Sequence, residues 1–297
     1  MKYFHQSVLT SEVIEFLKVK PAKLYIDATL GASGHTQEIL KRGGRVLAID
    51  RDPESTKYVA ALHLKNLQIV NNNFSHIDNL AVEFGFTKVS GILFDLGVST
   101  SQLEDSRRGF SFTRNGPLDM RMDPNLAVTA ADIVNNFEKR RLSEIFQNFG
   151  NERLSRRLAD AIFSARQVKK IESTDELARI IREVYQRKIN ITRGPHAKRG
   201  VRNIDPATKV FQALRIVVNS ELLNLEEALP QTEKLLEKGG RLVIVSFHSL
   251  EDAIVKRFFK DSKSLKVLTK LPIGPTKEEI EKNRRSRSAK LRVAEKM

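Results

Sequence analysis

Residues 24 to 35 read Leu24-Tyr25-Ile26-Asp27-Ala28-Thr29-Leu30-Gly31-Ala32-Ser33-Gly34-His35, an apolar run that leads directly into a loop with two glycines. Further strand-like runs lie at 45–50, 67–70 and 92–95, and stretches with helical spacing separate them. Alternating strand and helix patterns predict βαβ units, and therefore a parallel sheet covered by helices. We predict an α/β fold of the Rossmann-like type, with a mostly parallel sheet and helices on both faces.

The strand pattern stops at about residue 107 and returns at 242–245. Between these points apolar residues repeat at the spacing of amphipathic helices. We therefore predict an inserted all-helical domain at 115–204. Residues 1–114 and 205–297 would together form the Rossmann-like domain.

Local signals predict several element boundaries in the Rossmann-like domain. Asp52 is a good N-cap for a helix that starts with Pro53, and Ser249 is expected to cap the helix after the returning strand. Two late apolar patches, 267–271 and 291–293, are expected to complete one edge of the sheet as a hairpin.

The chain of 297 residues is strongly basic, with 51 Lys and Arg against 36 Asp and Glu and a formal net charge of +15. Such an excess favours a polyanionic partner, which could be RNA, DNA or an anionic membrane. No apolar run approaches the ~20 residues that a membrane-spanning helix needs. We predict a cytoplasmic protein that does not associate with membranes.

The sequence contains no cysteine, which excludes several classes of site. Disulfides, thiolate zinc sites and cysteine nucleophiles are impossible, so pyrimidine methylation at carbon 5 through a cysteine adduct is excluded. The zinc deaminases, which need a PCxxC motif, are excluded as well. No histidine cluster has the spacing of metal ligands, and we predict no metal site.

The loop after the first strand is the first candidate binding site. Gly31-x-x-Gly34 alone is also compatible with a plain strand-to-helix turn. Asp50, however, ends the second strand, where an acid can accept hydrogen bonds from ribose hydroxyls. The two features together favour a cofactor that contains adenosine.

The loop lacks the glycine pattern of dinucleotide-binding enzymes. G-x-G-x-x-G fails because Ser33 and Thr36 occupy glycine positions, which argues against a nicotinamide-dependent oxidoreductase. S-adenosylmethionine is the commonest adenosine ligand without phosphates in such a fold. Its sulfonium is positively charged, and Asp27, Asp50 and Asp95 would provide an acidic lining.

The residues that handle the methyl acceptor are less well defined. Methylation of an exocyclic amino group needs hydrogen-bond acceptors and in-line alignment, with no strong base. Asp95 could accept from that amino group, bind the methionine ammonium or cap the next turn. His248 has either a structural or a substrate-side role. These two residues are the candidates for catalysis.

Segments distributed over nearly the whole chain carry a family resemblance. They are Asp27–Gly31, Gly34-His35, Ala48–Asp52, Phe94–Ser99, Gln102-Leu103, Arg108–Phe112, Gly116–Asp123, Pro206–Thr208, Phe211–Arg215, Val245–Asp252 and Arg287–Arg292. In these segments the chain resembles the RsmH (MraW) family. The string Gly-Pro-Leu-Asp-Met-Arg-Met-Asp at 116–123 is highly specific.

The resemblance implies an S-adenosylmethionine-dependent rRNA (cytosine-N4-)-methyltransferase. Its substrate would be the N4 amino group of a cytidine near the decoding site of small-subunit ribosomal RNA, within the assembled small ribosomal subunit. The enzyme would be a monomer or a homodimer. The alternative is a non-catalytic, RNA-binding ribosome-assembly factor of the same fold.

The resemblance also implies seven cofactor-binding residues at the loop and strand ends. They are Ser33, Gly34, His35, Asp50, Phe74, Asp95 and Gln102. The loop residues would face the methionine part, Asp50 the ribose and Phe74 the adenine, while the last two would complete the pocket toward the transferred methyl group.

Two positions depart from the family pattern. Ser33 stands where the family usually has glycine, and we expect its backbone N–H to serve the cofactor only if φ is negative there. Residues 149–153 read Phe-Gly-Asn-Glu-Arg where the family usually has Tyr-Gly-Glu-Glu-Arg. Ser33 is the one sign that favours the non-catalytic alternative.

Basic and aromatic residues indicate how RNA would be bound. The run 282–292 has six Lys and Arg and no acid, and 182–202 has seven with one acid. Both runs favour contact with phosphates, and both are expected to include mobile basic loops. Phe110 and Phe112 are expected either to stack on unpaired bases or to be buried.

Overall fold

The computed structural model describes residues 7–192 and 205–297 and divides the chain into two compact units. The sheet unit comprises Met1–Ser99 and Leu222–Met297, and the helical unit comprises Thr100–Glu221. The helical unit therefore extends beyond the predicted 115–204 on both sides. At its C-terminal side, the reason is that a helix after residue 205 packs against the other helices of this unit.

Seven strands and thirteen helices are present in the described residues. The strands are β1 (Leu24–Asp27), β2 (Arg45–Asp50), β3 (Leu67–Asn71), β4 (Val89–Asp95), β5 (Leu236–Ser246), β6 (Leu265–Val267) and β7 (Lys290–Lys296). The helices of the sheet unit are α1 (Thr10–Leu17), α2 (Gly34–Lys41), α3 (Pro53–Ala60), α4 (Ile77–Glu83), α11 (Glu221–Leu235, whose first residue is counted with the helical unit), α12 (Ser249–Asp261) and α13 (Lys277–Lys282). The helices of the helical unit are α5 (Thr100–Glu104), α6 (Ala130–Asn136), α7 (Lys139–Gly150), α8 (Ser155–Val168), α9 (Thr174–Thr192) and α10 (Ala207–Val218).

The seven strands form one mixed sheet in the order β3-β2-β1-β4-β5-β7-β6. Strands β1 to β5 are parallel to their neighbours, and β7 is antiparallel to both β5 and β6. The strand order reverses between β1 and β4, which is the position where sheets of this kind bind ligands at the carboxyl ends of the strands. This topology confirms the predicted Rossmann-like fold.

Alternate side chains of the sheet enter two separate apolar layers. Ile26 and Ile92 pack with α4, α11 and α12 on one face, whereas Tyr25 and Leu93 pack with α1, α2 and α3 on the other. The layers confirm that helices cover both faces. Because both faces are buried, the inner strands read as continuous apolar runs.

The boundary predictions have mixed outcomes. The Asp52 carboxylate accepts a hydrogen bond from Glu54 N–H and caps α3, as predicted. The predicted antiparallel edge is present, with β6 outermost and β7 inside it. The patch 291–293 lies within β7, whereas the patch 267–271 overlaps β6 only at Val267. Ser249 does not cap α12; it is exposed, and the residue before it takes this role.

The specific string at 116–123 is fixed inside the helical unit by hydrogen bonds. Asn219, at the end of α10, accepts from Met122 N–H and donates to the Met120 carbonyl, both at 2.8 Å. Asp119 and Arg121 form a bidentate ion pair with distances of 2.9 and 2.8 Å. The string therefore forms a loop that is held by its own Asp119–Arg121 ion pair and by the Asn219 side chain.

No helix among the described residues is long and apolar enough to cross a membrane.

Candidate active site

The candidate site lies where β1, β2 and β4 end. Asp27 is paired in register with Ala48 and Leu93, so the first residues after β1 lie between the ends of its two neighbours. Thr29 Oγ1 accepts a hydrogen bond of 2.6 Å from the backbone N–H of Asp95. This bond joins the loop after β1 to the end of β4 across the point where the strand order reverses.

Asp27 supports the loop from inside the protein. Its Oδ1 accepts from Thr29 N–H at 3.1 Å, and its Oδ2 accepts from the Thr36 hydroxyl at 2.7 Å. The side chain is 1% exposed, and burial raises its pKa above the usual value for an aspartate. Asp27 therefore supports the loop from the protein interior, and its place in the acidic lining stays a prediction.

Ser33 adopts the left-handed conformation, with φ of +68°. Its N–H donates to the Leu30 carbonyl at 2.8 Å, its hydroxyl donates to the Ala32 carbonyl at 2.6 Å, and Gln37 Nε2 donates to that hydroxyl at 2.9 Å. The condition for Ser33 N–H to serve the cofactor, a negative φ, is therefore not met. The two side-chain bonds offset the ~1–2 kcal/mol that this conformation costs an L-residue, and the Ser33 N–H closes the turn.

Gly34 and His35 open α2 directly after this turn. A Cβ on Gly34 would overlap the Ser7 hydroxyl, so a side chain there would displace the segment before α1. The first N–H groups of α2 have no acceptor within the helix, as at every helix start. Gly34 and His35 can therefore present their backbone N–H groups to a ligand.

The His35 and Asp95 side chains face each other at the reversal point. His35 Nε2 lies 3.4 Å from Asp95 Oδ2. Both ring nitrogens of His35 and Oδ1 of Asp95 are buried without a hydrogen-bond partner among the described residues. Burial lowers the pKa of His35, but the neighbouring Asp95 and then Asp27 outweigh it, so the net pKa is raised. Such unsatisfied buried atoms indicate a polar ligand.

Asp50 lies at the end of β2 and holds the same loop. Its Oδ2 accepts from Gly31 N–H at 2.8 Å and its Oδ1 from Asp52 N–H at 2.9 Å. Burial raises the pKa of Asp50 to about 6. A carboxylate oxygen has two lone pairs, so each oxygen can still accept one hydroxyl. The residue thus fits a ligand that carries neighbouring hydroxyl groups.

His248 follows β5 and caps α12. Its Nδ1 accepts from Glu251 N–H at 3.3 Å, and Glu251 Oε2 accepts in return from His248 N–H at 3.2 Å. The other ring nitrogen, Nε2, lies 3.2 Å from Glu251 Oε1 but is buried and makes no hydrogen bond with a described residue. His248 therefore has a structural role at Nδ1 and an unused nitrogen at Nε2.

The whole chain matches one family of known proteins. A profile of the MraW methylase family aligns with residues 2–297. The chain belongs to the MraW methylase family. This membership confirms the resemblance, the methyltransferase class and S-adenosylmethionine as the cofactor.

Relatives with assigned functions align over nearly their full length. The ribosomal RNA small subunit methyltransferase H of Deinococcus deserti is 45% identical over 293 residues, which cover 99% of this chain and 93% of the relative. The protein of the same name from Carboxydothermus hydrogenoformans is 43% identical over 320 residues, which cover 100% and 99%.

The solved structures that align with this chain have low sequence identity to it. An rRNA methylase from Streptococcus thermophilus is 11% identical with a TM-score of 0.44, covering 98% of each chain. TrmN from Thermus thermophilus is 11% identical with a TM-score of 0.43, covering 97% of this chain and 48% of TrmN.

The remaining residues that the MraW resemblance implies lie in different places. Phe74 starts the 3₁₀ turn after β3 and packs edge-on against Phe94, with ring centroids 5.4 Å apart. Gln102 is buried in α5 of the helical unit. In the same unit Phe110 is buried, which agrees with the burial alternative for that ring. Phe112 is half-buried and packs against Phe211, with ring centroids 5.3 Å apart.

Sequence reasoning missed three contributors in the MraW chain. Thr29 is the acceptor for Asp95 N–H, and Glu251 completes the cap at His248. Phe247 packs against Gly97, whose φ of +103° favours glycine; a Cβ added there would be in ordinary van der Waals contact with the ring at 3.5 Å. The signal for Glu251 was its spacing of three from His248, which is the spacing of a capping box.

Proposed function

We propose that the chain transfers the methyl group of S-adenosylmethionine to the N4 amino group of a cytidine in small-subunit ribosomal RNA near the decoding site. The observation that carries this proposal is the set of unsatisfied buried atoms on His35 and Asp95 at the strand-order reversal. The relatives' common name, ribosomal RNA small subunit methyltransferase H, supports the choice of RNA.

The cofactor would be held by residues of three strand ends. When bound, S-adenosylmethionine supplies an electrophilic methyl group on a positively charged sulfur. The His35 and Gly34 N–H groups would donate to its carboxylate, and the free lone pairs of Asp50 would accept from its ribose hydroxyls. Phe74 would flank the adenine. The position of Gln102 in this pocket stays a prediction.

Acceptor activation would depend on positioning. The lone pair of a cytosine amino group is delocalised into the ring, so its hydrogens must be held by acceptors while the nitrogen is aligned for attack. Asp95 Oδ1, an acceptor without a hydrogen-bond partner among the described residues, would accept from that amino group. His248 Nδ1 already accepts from Glu251 N–H, so in the neutral ring Nε2 carries the hydrogen and would donate to the carbonyl oxygen of the base. The cytidine would be turned out of its stack to reach them.

Incubation of undermodified small ribosomal subunits with the protein and isotopically labelled S-adenosylmethionine tests this proposal. Mass spectrometry of the digested RNA is expected to find the label in N4-methylcytidine at one position. Label in another nucleoside would overturn the N4 assignment, and no label in any nucleoside would favour the assembly-factor alternative. Naked RNA in a parallel reaction would show whether the assembled subunit is required.

A further inference from the structure

The basic run 282–292 contains two kinds of cation that the sequence does not distinguish. Arg292 Nε donates to Asp252 at 2.6 Å and Lys290 Nζ at 3.0 Å, so these two cations share one acid on α12 as their partner. The other four cations are exposed. They are Lys282, Arg284, Arg285 and Arg287.

Three of the exposed cations lie on one short ordered turn, Asn283–Ser288, which we call the arginine turn. The run is therefore not the loop that its composition predicts: it comprises the end of α13, a 3₁₀ turn and the start of β7. Ser286 is fully buried, and its hydroxyl donates to the Asn283 carbonyl at 2.8 Å. The Asn283 side chain accepts from Arg285 N–H at 3.2 Å, and Ala289 N–H donates to the Ser286 carbonyl at 2.7 Å. The backbone that carries the arginines is therefore fixed before any ligand binds, which lowers the entropic cost of binding.

Strand register places the arginine turn at the carboxyl ends of the parallel strands, where the candidate site also lies. Leu291 is paired with Val245, and Val245 is paired with Asp95. Neighbouring strands lie ~4.8 Å apart, so the start of β7 is about 10 Å from the end of β4. The preceding helix α13 also reaches the site, because Glu279 accepts a hydrogen bond of 2.7 Å from Leu9 N–H, next to the segment that covers Gly34.

All three arginines of the turn are exposed, and two of them have no acidic partner in the part of the chain that the structure describes. Among the described residues, Arg284 and Arg287 form no ion pair, and the run from 282 to 294 contains no Asp or Glu. Arginine binds phosphate oxygens with two parallel N–H groups, and a series of phosphates matches a series of arginines on a fixed backbone.

We propose that Arg284, Arg285 and Arg287 bind successive phosphates of the RNA strand that carries the nucleotide to be methylated. The inference deepens the proposed function and rests on it for the identity of the RNA. The turn fixes the strand at the edge of the site, and the target base then turns inward.

The test compares two triple variants that lose the same charge. Arg284→Ala, Arg285→Ala and Arg287→Ala remove the arginine turn's cations. The control is Lys238→Ala, Lys263→Ala and Lys266→Ala. These three exposed cations lie toward the amino ends of the parallel strands, away from the candidate site. Affinity for naked small-subunit ribosomal RNA is measured over a series of salt concentrations, and unfolding temperatures check that both variants fold.

The arginine variant is expected to bind at least tenfold more weakly than the control. The slope of log affinity against log salt should fall by about 2, since each phosphate contact contributes about 0.7 on a single strand. Replacing all three arginines by lysine should keep most of the slope. Equal losses in the alanine variant and its control would overturn the inference, because net charge alone would then explain the binding.

Methylation assays with assembled subunits separate this inference from the proposed function. If wild-type protein methylates cytidine N4, the proposed function holds, and the RNA measurements above then decide on the turn alone. If the alanine variant binds naked RNA like the control yet methylates subunits poorly, the turn contacts ribosomal protein and the inference is wrong. If wild-type protein methylates nothing, the proposed function fails, and the salt slopes still report on the turn.

Discussion

Thr29 and Asp95 are joined by a hydrogen bond of 2.6 Å in which the threonine hydroxyl oxygen accepts from the aspartate backbone N–H. The bond crosses the one place in the parallel part of the sheet where the strand order reverses. It sets the distance between the loop that would hold the cofactor and the carboxylate that would face the methyl acceptor. A side chain that touches neither ligand can therefore control their alignment.

Thr29→Val should expose this dependence. Valine has the shape of threonine without the oxygen, so the Asp95 N–H loses its acceptor at a cost of about 1–3 kcal/mol. We expect a lower free energy of unfolding and weaker S-adenosylmethionine binding, measured by chemical denaturation and calorimetry. Thr29→Ser keeps the oxygen and should behave like the wild type. Equal effects of the two variants would contradict the role of the hydrogen bond.

Ser33 provides a test with a defined order of stabilities. Ser33→Ala removes both side-chain hydrogen bonds but keeps the unfavourable φ of +68°, so it should lose about 1–2 kcal/mol. Ser33→Gly loses the same bonds but relieves the strain, by a similar amount. We expect glycine to remain close to the wild type in thermal unfolding and in cofactor affinity, with alanine below both. An alanine variant as stable as the glycine variant would show that the backbone is not strained.

Asp50 should make cofactor binding dependent on pH. Its pKa of about 6 means that the carboxylate, the form that accepts from ribose hydroxyls, is lost below that value. Affinity for S-adenosylmethionine should therefore be constant above about pH 7 and decline below pH 6. The pKa of His35 is also raised, by Asp95 and Asp27, so Asp50→Asn is the control: its affinity should be lower throughout and lack the Asp50 step. An unchanged profile in Asp50→Asn would assign the titration to another group.

The same pKa has an opposite consequence for stability. Because folding raises the pKa of Asp50 above its ordinary 3.8, the folded protein holds the proton more tightly than the unfolded chain. The stabilising contribution is thus complete below pH 3.8 and is lost as pH rises through 6. Stability and cofactor affinity should respond to Asp50 in opposite directions.

His248 combines two roles that different substitutions separate. Asparagine is a good helix cap, so His248→Asn should keep the hydrogen bond to Glu251 N–H and the stability of α12. It removes Nε2, and kcat should fall at least tenfold with cofactor affinity unchanged. His248→Ala should lose about 1 kcal/mol of stability in addition. Full activity of the asparagine variant would leave the cap as the sole role of this residue.

The sheet was predictable because its strands are buried on both faces and read as uninterrupted apolar runs. Residues 46–49 are all fully buried and were assigned correctly. The strand β5 begins at Leu236, before the predicted 242, because its first residues include the polar Glu237 and Lys238 and a glycine with positive φ. Polar strand ends carry no periodic signal.

The fine structure of the site depends on contacts between residues distant in sequence. Asp252 forms an ion pair with Arg292, 40 positions away, so this arginine is not free to bind a phosphate. Composition alone therefore described the run as one mobile loop. The left-handed conformation of Ser33 was likewise not predictable. Its energetic cost is offset by a hydrogen bond from Gln37, and the sequence does not show which conformation the Gln37 side chain adopts. The basic segment 193–203 lies outside the described residues.

The position of β7 between β5 and β6 has a consequence during synthesis. The ribosome makes β7 after both strands that it separates. Until that segment emerges, β5 has an open side that can pair with another nascent chain, the hazard of any uncovered strand edge. Expression of a fragment that stops before residue 290 should therefore yield inclusion bodies in place of a smaller enzyme.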